Sequence, residues 1–346
     1  MLKYIPLTRA IATTIVLFAL LSVYDISILG VLPQDRFPPK FDLYYLIRSV
    51  ACIALSLWIV KRIPKEGFKE ISDPKLSKGL HAISALSIIQ IFGILALFLY
   101  SPRLLFVLGK ENSLVETLSF AFPLAASVCL MVSAFRFHGT GSSRTALVAA
   151  LFGMLSFLIA MEEVSWMQQY LKFETPAAFD ANMQNETNLH NFASKIVNNV
   201  YYIGSFAFLA FGPFVFASAR DVISPWIQDV LPSRIVAISC ISMSACNWEM
   251  WNIFPIQMIF WISVLVLIRF HREGSIPGSN FAWLTKILIA GIILAQFSFL
   301  VWGDRMVRTH DLGEYKEGLI TFGLLVYSIE ILLRSKRLSE ASRTAI

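Results

Sequence analysis

The chain has 346 residues, of which 56% are hydrophobic and 15% charged, with a net charge of +6. Soluble globular proteins carry about 25% charged residues, so this composition excludes a soluble fold and leaves no room for a large extramembrane domain. The positive charge sits mainly in short loops and tails, where it orients membrane spans and is no sign of nucleic-acid binding.

Apolar runs of about 18 or more residues recur along the chain, and each reads as a transmembrane helix. The first runs from Ile11 to Val31, after a short basic tail and without a small-residue cleavage site, so it reads as a retained helix. A loop rich in Pro and charge follows, Leu32 to Asp42. Further spans are expected at Leu43–Val60, Leu80–Tyr100, Val115–Ala134, Ala146–Met161 (with continuation past two Glu) and Ile196–Ala217. The stretch 235–270 is too long for one span and too short for two, and NWEMWNIFP (Asn247–Pro255) interrupts it. Such interruptions persist only where protein or a cavity surrounds them. The last spans are expected at Phe281–Trp302 and Gly318–Leu333. Cys52, Cys129, Cys240 and Cys246 lie in apolar segments without zinc-site spacing and read as buried thiols. The expected fold is one all-α transmembrane domain over 1–346, with about 8–10 spans including one interrupted or re-entrant segment.

The Lys-rich loop from Lys61 to Lys78 anchors the orientation on the inner side. Counting spans from it puts both termini inside, together with Arg136, Arg144, Arg220, Arg234, Arg269 and Arg334. The segment 162–195, the NWEMWN turn and the Asp304–Glu317 loop then share the outer face, as do Asp35 and Asp42, with Asp25 nearby. This convergence of polar segments is the main sign of a site.

Within it, Glu162 and Glu163 end an apolar helix, and a carboxylate at membrane depth usually faces a cavity or a partner. Continued helix would put Glu162 on one face with Ser165, Trp166 and Gln169, and turn Glu163 about 100° away. One Glu could then serve as general base or metal ligand while an Arg holds the other. The plainer alternative is two solvated interfacial carboxylates. Asn182, Gln184, Glu186, Asn188 and His190 alternate as an extended strand would. As a helix, the same stretch would set Glu186 and His190 at i and i+4, suited to one metal. It also reads as a polar loop with an ordinary His, and Asn185-Glu186-Thr187 has the form of a glycosylation sequon. Thr175-Pro176 is expected to open a short helix over Pro176–Met183. Trp248 and Trp251 read first as an interfacial belt, which leaves Glu249 between them unexplained. Glu314 and Glu317 suit a helix N-terminus. Arg305 or Arg308 could bind a phosphate or pair with Glu163.

The run Glu162-Glu163-Val164-Ser165-Trp166, Gln168, then Glu174-Thr175-Pro176 and Asn182 through Asn191, resembles one in uncharacterised bacterial polytopic membrane proteins. The resemblance covers about 30 of the 346 residues. It implies a shared site in a bacterial inner membrane and carries no activity with it.

The expected function is a membrane-embedded hydrolase or transferase acting on a lipid or lipid-linked substrate at the outer face. Glu162, Glu163 and His190 would be catalytic, and Trp166, Gln169, Trp248, Glu249, Arg305 and Arg308 would bind substrate. Glu162, Glu186, His190 and Asp311 would be ligands of a divalent metal, zinc or manganese. A transporter or flippase, and a non-catalytic assembly or sensor subunit, are the alternatives.

Overall fold

A computed structural model of the chain describes residues 5–68, 74–110, 112–179, 182, 185–273 and 279–344. Those residues form helices and loops without strands, and eight of the helices are long and apolar enough to cross a membrane. The protein is an all-α, multi-pass membrane protein.

Seven of the eight are α1 (Ile5–Tyr24), α2 (Leu43–Arg62), α5 (Leu114–Gly139), α6 (Ser143–Glu163), α12 (Phe254–Glu273), α13 (Ser279–Trp302) and α14 (Asp311–Thr344). The eighth joins α8 (Ser194–Ser205), a π turn at Phe206–Phe211 and α9 (Gly212–Ser218), and a further long helix, α3 (Pro74–Tyr100), is apolar over Ala85–Tyr100. Short helices fill the connections: α4 (Pro102–Gly109), α7 (Gln168–Leu171) and α10 (Pro225–Gln228). Local chemistry sets several starts. The Asp42 carboxylate accepts from the Tyr45 N–H at α2, and Ser101 caps α4 with Pro102 in its first turn, a position where a missing N–H costs nothing.

α5 packs along α6 and α14, α12 along α2, and α13 along α3. At one end of the bundle lie the last turns of α2, α5, α9 and α12. Arginines bind carbonyls there: Arg269 reaches Ile63 O at 2.8 Å, Arg234 reaches Gly67 O at 3.3 Å, and Arg334 reaches Leu231 O at 2.6 Å. The opposite end gathers the starts of α2, α5, α8 and α14, the end of α6, and the loops between them.

The stretch 235–270 resolves into two pieces. It begins with α11 (Arg234–Cys240) and a 3-10 turn to Ala245, continues as irregular chain to Ile253, and returns as the full-length α12. The helical part covers roughly 20 Å, short of the roughly 30 Å hydrocarbon core. It survives because residues 235–254 are all buried in protein and their free backbone groups find side chains. Asn247 N–H donates to Gln296 Oε1 at 3.1 Å, and Gln296 Nε2 donates back to Asn247 O at 2.6 Å. Arg48 donates to Asn252 O at 3.1 Å, and Phe37 N–H to Glu249 O at 3.0 Å. Lys316, fully buried on α14, donates to Asn247 Oδ1.

Trp248 lies at the edge of this irregular chain, buried against Gly303, where any Cβ would fall inside the indole ring. Gly303→Ala is therefore expected to cost about 1–3 kcal/mol by overpacking, seen as a lower unfolding midpoint in detergent. Gly204→Ala, whose Cβ meets nothing within 4 Å, is the control and should leave the midpoint unchanged.

Candidate functional site

α6 stops one residue after Glu162. From there Ser165, Trp166 and Met167 take φ values of 46°, 55° and 68°, three successive left-handed residues without a glycine. This corrects the expectation of continued helix through Gln169. Left-handed backbone costs roughly 1–2 kcal/mol per residue, so something must hold it. Trp166 Nε1 donates to Glu162 Oε1 at 2.8 Å, and Ser165 Oγ donates to Glu186 Oε2 at 2.7 Å. Asn188 Nδ2 donates to both Ser165 Oγ (3.0 Å) and Glu186 Oε2 (2.8 Å), and Asn182 Nδ2 donates to Asn188 Oδ1 at 3.0 Å.

The other polar residues of the run close the same loop. Gln168 Oε1 accepts from Thr187 N–H at 2.6 Å, its Nε2 donates to Thr175 Oγ1 at 2.9 Å, and Thr175 Oγ1 donates to Asn185 O at 2.6 Å. The segment 185–189 is irregular chain, neither strand nor α-helix, because its polar groups bond side chains instead of a neighbouring strand, and His190–Phe192 forms one 3-10 turn. Ala177–Phe179 is a single 3-10 turn where a longer helix was expected. Gln184, Met183 and the Gln169 side chain lie outside the described residues. Asn188 is 1% exposed, so Asn188→Ala removes several buried bonds at about 1–3 kcal/mol each. Hydrogen exchange and proteolysis within 164–192 should accelerate strongly in that variant while the helices stay protected.

Glu162 accepts four hydrogen bonds: from Trp166 Nε1, from the N–H groups of Leu189 (2.7 Å) and His190 (3.1 Å), and from His190 Nδ1 at 3.3 Å. Its neighbour Glu163 faces elsewhere. It lines a cavity of about 410 Å³, and among the described residues its carboxylate accepts no hydrogen bond. The adjacent carboxylates thus part, as the 100° turn per residue requires. What holds Glu162 is backbone, Trp and His.

The cavity lies at the loop-rich end of the bundle. The loop supplies Glu186, Asn188, His190 and Asn191, and α8 supplies Ser194, Lys195, Asn198 and Tyr202. Glu116 enters from α5, Gly313, Glu314 and Glu317 from α14, and Arg36, Glu249 and His310 from loops. Glu317 accepts from the Tyr202 hydroxyl and from Asn198 Nδ2 at 3.3 Å. Arg36 Nη1 meets Glu249 Oε1 at 3.3 Å, while Arg36 Nε and Nη2 are buried without hydrogen-bond partners among the described residues.

Burial pushes the Glu249 carboxyl up from its ordinary 4.5 to about 7, against the pull of Arg36. Burial and then Arg308 hold the His310 imidazolium down, and the Leu32 N–H holds the Asp35 carboxyl down. A raised carboxyl favours the fold while protonated. Its contribution is complete below about pH 4.5 and is lost as pH rises toward 7, a span of about 3 kcal/mol at most. The unfolding midpoint should fall between pH 5 and pH 8 by more in the wild type than in Glu249→Gln.

Other expected residues stand apart. Trp248 is buried against Gly303 and does not line the cavity. Arg305 donates to Leu99 O at 3.4 Å, and Arg308 pairs with Asp311 at 2.9 Å, so neither holds Glu163. Trp166 bonds Glu162 through Nε1 and does not line the cavity. The proposed ligands Glu162, Glu186, His190 and Asp311 form no common cluster. Among the described residues no three His, Cys, Asp or Glu side chains are placed to hold a metal ion. Sequence reasoning did not single out Glu116, Lys195, Asn198 or Tyr202. Glu116 and Lys195 carried a signal, a charge at the mouth of an apolar run; Asn198 and Tyr202 sit inside a span and carried none.

Compared with family models, curated proteins and solved structures, the chain matches none.

Proposed function

We propose that this protein is a membrane-embedded hydrolase or transferase that acts on the head of a lipid or lipid-linked substrate by general acid–base catalysis. The observation that carries the reading is the pairing of His190 Nδ1 with Glu162 Oε2 at 3.3 Å, with the ring lining the cavity that Glu163 also faces. A carboxylate at Nδ1 fixes that nitrogen as the proton-bearing one and leaves Nε2 basic. Glu163, which accepts no hydrogen bond among the described residues, is the second proton-transfer group. One of them takes a proton from water or an acceptor hydroxyl, and the other delivers one to the leaving group.

The membrane reading assigns the cavity to the outer face of a bacterial inner membrane, with both termini cytoplasmic. The arginines at the opposite end support this orientation through the preference of Lys and Arg for the cytoplasmic side. A transporter draws less support. The buried Asp25–Arg48 pair borders a separate hollow of only about 10 Å³, room for one water at most.

The test is lipid mass spectrometry of nanodiscs drawn from native membranes and containing either the wild type or Glu163→Gln. A lipid species should decline and a product accumulate with the wild type alone. Identical lipid profiles over time would overturn the enzyme reading.

A further inference from the structure

α5 and α14 run side by side, and the first turns of both helices wall two different hollows. One is the acidic cavity. The other is a groove of about 210 Å³ walled by Gly93 and Leu97 of α3, Leu108 of α4, Leu118 of α5, and Tyr315 and Gly318 of α14. Apart from Gln90 its wall is apolar. Successive residues divide between the two: Val115 to the groove and Glu116 to the cavity, Glu314 to the cavity and Tyr315 to the groove, Glu317 to the cavity and Gly318 to the groove. Neighbours on a helix diverge by about 100°, so groove and cavity lie on adjoining faces of the same turns. Leu114 and Leu118, on the groove's wall, are 56% and 37% exposed, so the groove opens toward the lipid-facing side.

The charges of the cavity select the head. Six acidic side chains line it against Arg36, Lys195 and two histidines, with Glu249, raised to about 7, half ionised at neutral pH. An anionic head without an amine would be repelled there, and an ammonium attracted. Arg36 contributes a half-buried guanidinium whose buried Nε and Nη2 have no hydrogen-bond partner among the described residues, which suits a phosphate beside that ammonium.

Resting on the lipid-enzyme reading above, we propose that groove and cavity are the two halves of one binding site for an amine-bearing phospholipid. One hydrocarbon chain lies in the groove between α3, α4, α5 and α14. The ammonium and phosphate of the head turn over the entry of α5 and α14 into the cavity.

The test is native mass spectrometry of the purified full chain offered phosphatidylethanolamine or phosphatidylglycerol with identical acyl chains. The wild type should retain roughly ten times more of the amine lipid, the equivalent of one favourable charged contact. Gly93→Phe should lose it. A Cβ at Gly93 meets nothing within 4 Å and a larger residue favours the helix, so this variant folds and fills the groove; monodisperse elution verifies that. Glu317→Gln still accepts from Tyr202 and should keep lipid while losing the preference between heads. Equal retention of the two lipids by the wild type would overturn the head assignment, and wild-type retention by Gly93→Phe would overturn the chain assignment. Retention without conversion in the nanodiscs would sink the enzyme reading and leave this site standing. Conversion of a lipid that lacks an amine would do the reverse.

Discussion

Replacing Arg48 by Met is expected to be the most destabilising single substitution in the chain, at about 3–5 kcal/mol. Arg48 and Asp25 are 7% and 4% exposed and meet at 2.8 Å. The Tyr44 hydroxyl also donates to Asp25, and Arg48 donates to Asn252 O. Removing the guanidinium strands a carboxylate in an apolar surrounding and orphans a carbonyl of the irregular chain at once. The second variant decides whether the unpaired charge is the cause. Asp25→Asn with Arg48→Met removes both charges, and such exchanges of a buried pair are often close to neutral. The unfolding midpoint in detergent should fall sharply in Arg48→Met and recover most of the way in the double variant. A double variant as unstable as the single would shift the cause to the Asn252 contact. No effect in either would mean that water already reaches the pair.

That pair also marks how far the sequence could be read. Hydropathy alone located seven of the eight membrane-long helices, because an apolar run must satisfy its backbone internally and helix is the only open-chain solution. The broken crossing was legible as an irregularity near Asn247. Its partners were not, since Gln296, Arg48 and Lys316 come from three other helices and no local pattern announces a side chain that caps a distant backbone. The same limit applies at the site. The polar residues between Glu162 and Asn191 stood out because polarity there had no amphipathic explanation. Their geometry depends on a left-handed turn at Ser165–Met167, which ordinary residues adopt only when tertiary bonds hold them. Periodicity arguments for strand or helix over Asn182–His190 therefore had no purchase. Arg305 and Arg308 looked available in the sequence, yet Asp311 sits three residues beyond Arg308 and takes it. Glu317 reads as an ordinary helix-entry carboxylate until α8 brings Tyr202 against it.

The largest functional effect is expected at His190, and its pattern separates proton transfer from mere structure. If Nε2 of His190 moves a proton at the reacting atom, His190→Gln should lower turnover of the converted lipid about 10²–10⁴-fold with little change in KM. Glu162 acts through His190: it fixes the tautomer and aims the ring, and it touches no reacting atom. Glu162→Gln should therefore cost less than His190→Gln. The double variant Glu162→Gln/His190→Gln should be no slower than His190→Gln alone, because orientation of an absent ring has no value. Glu163 faces the cavity independently, so adding Glu163→Gln to His190→Gln should slow the reaction further, toward the rate given by binding alone. Losses at Glu162 and His190 that multiply would make His190 a strut of the loop and leave Glu163 as the base.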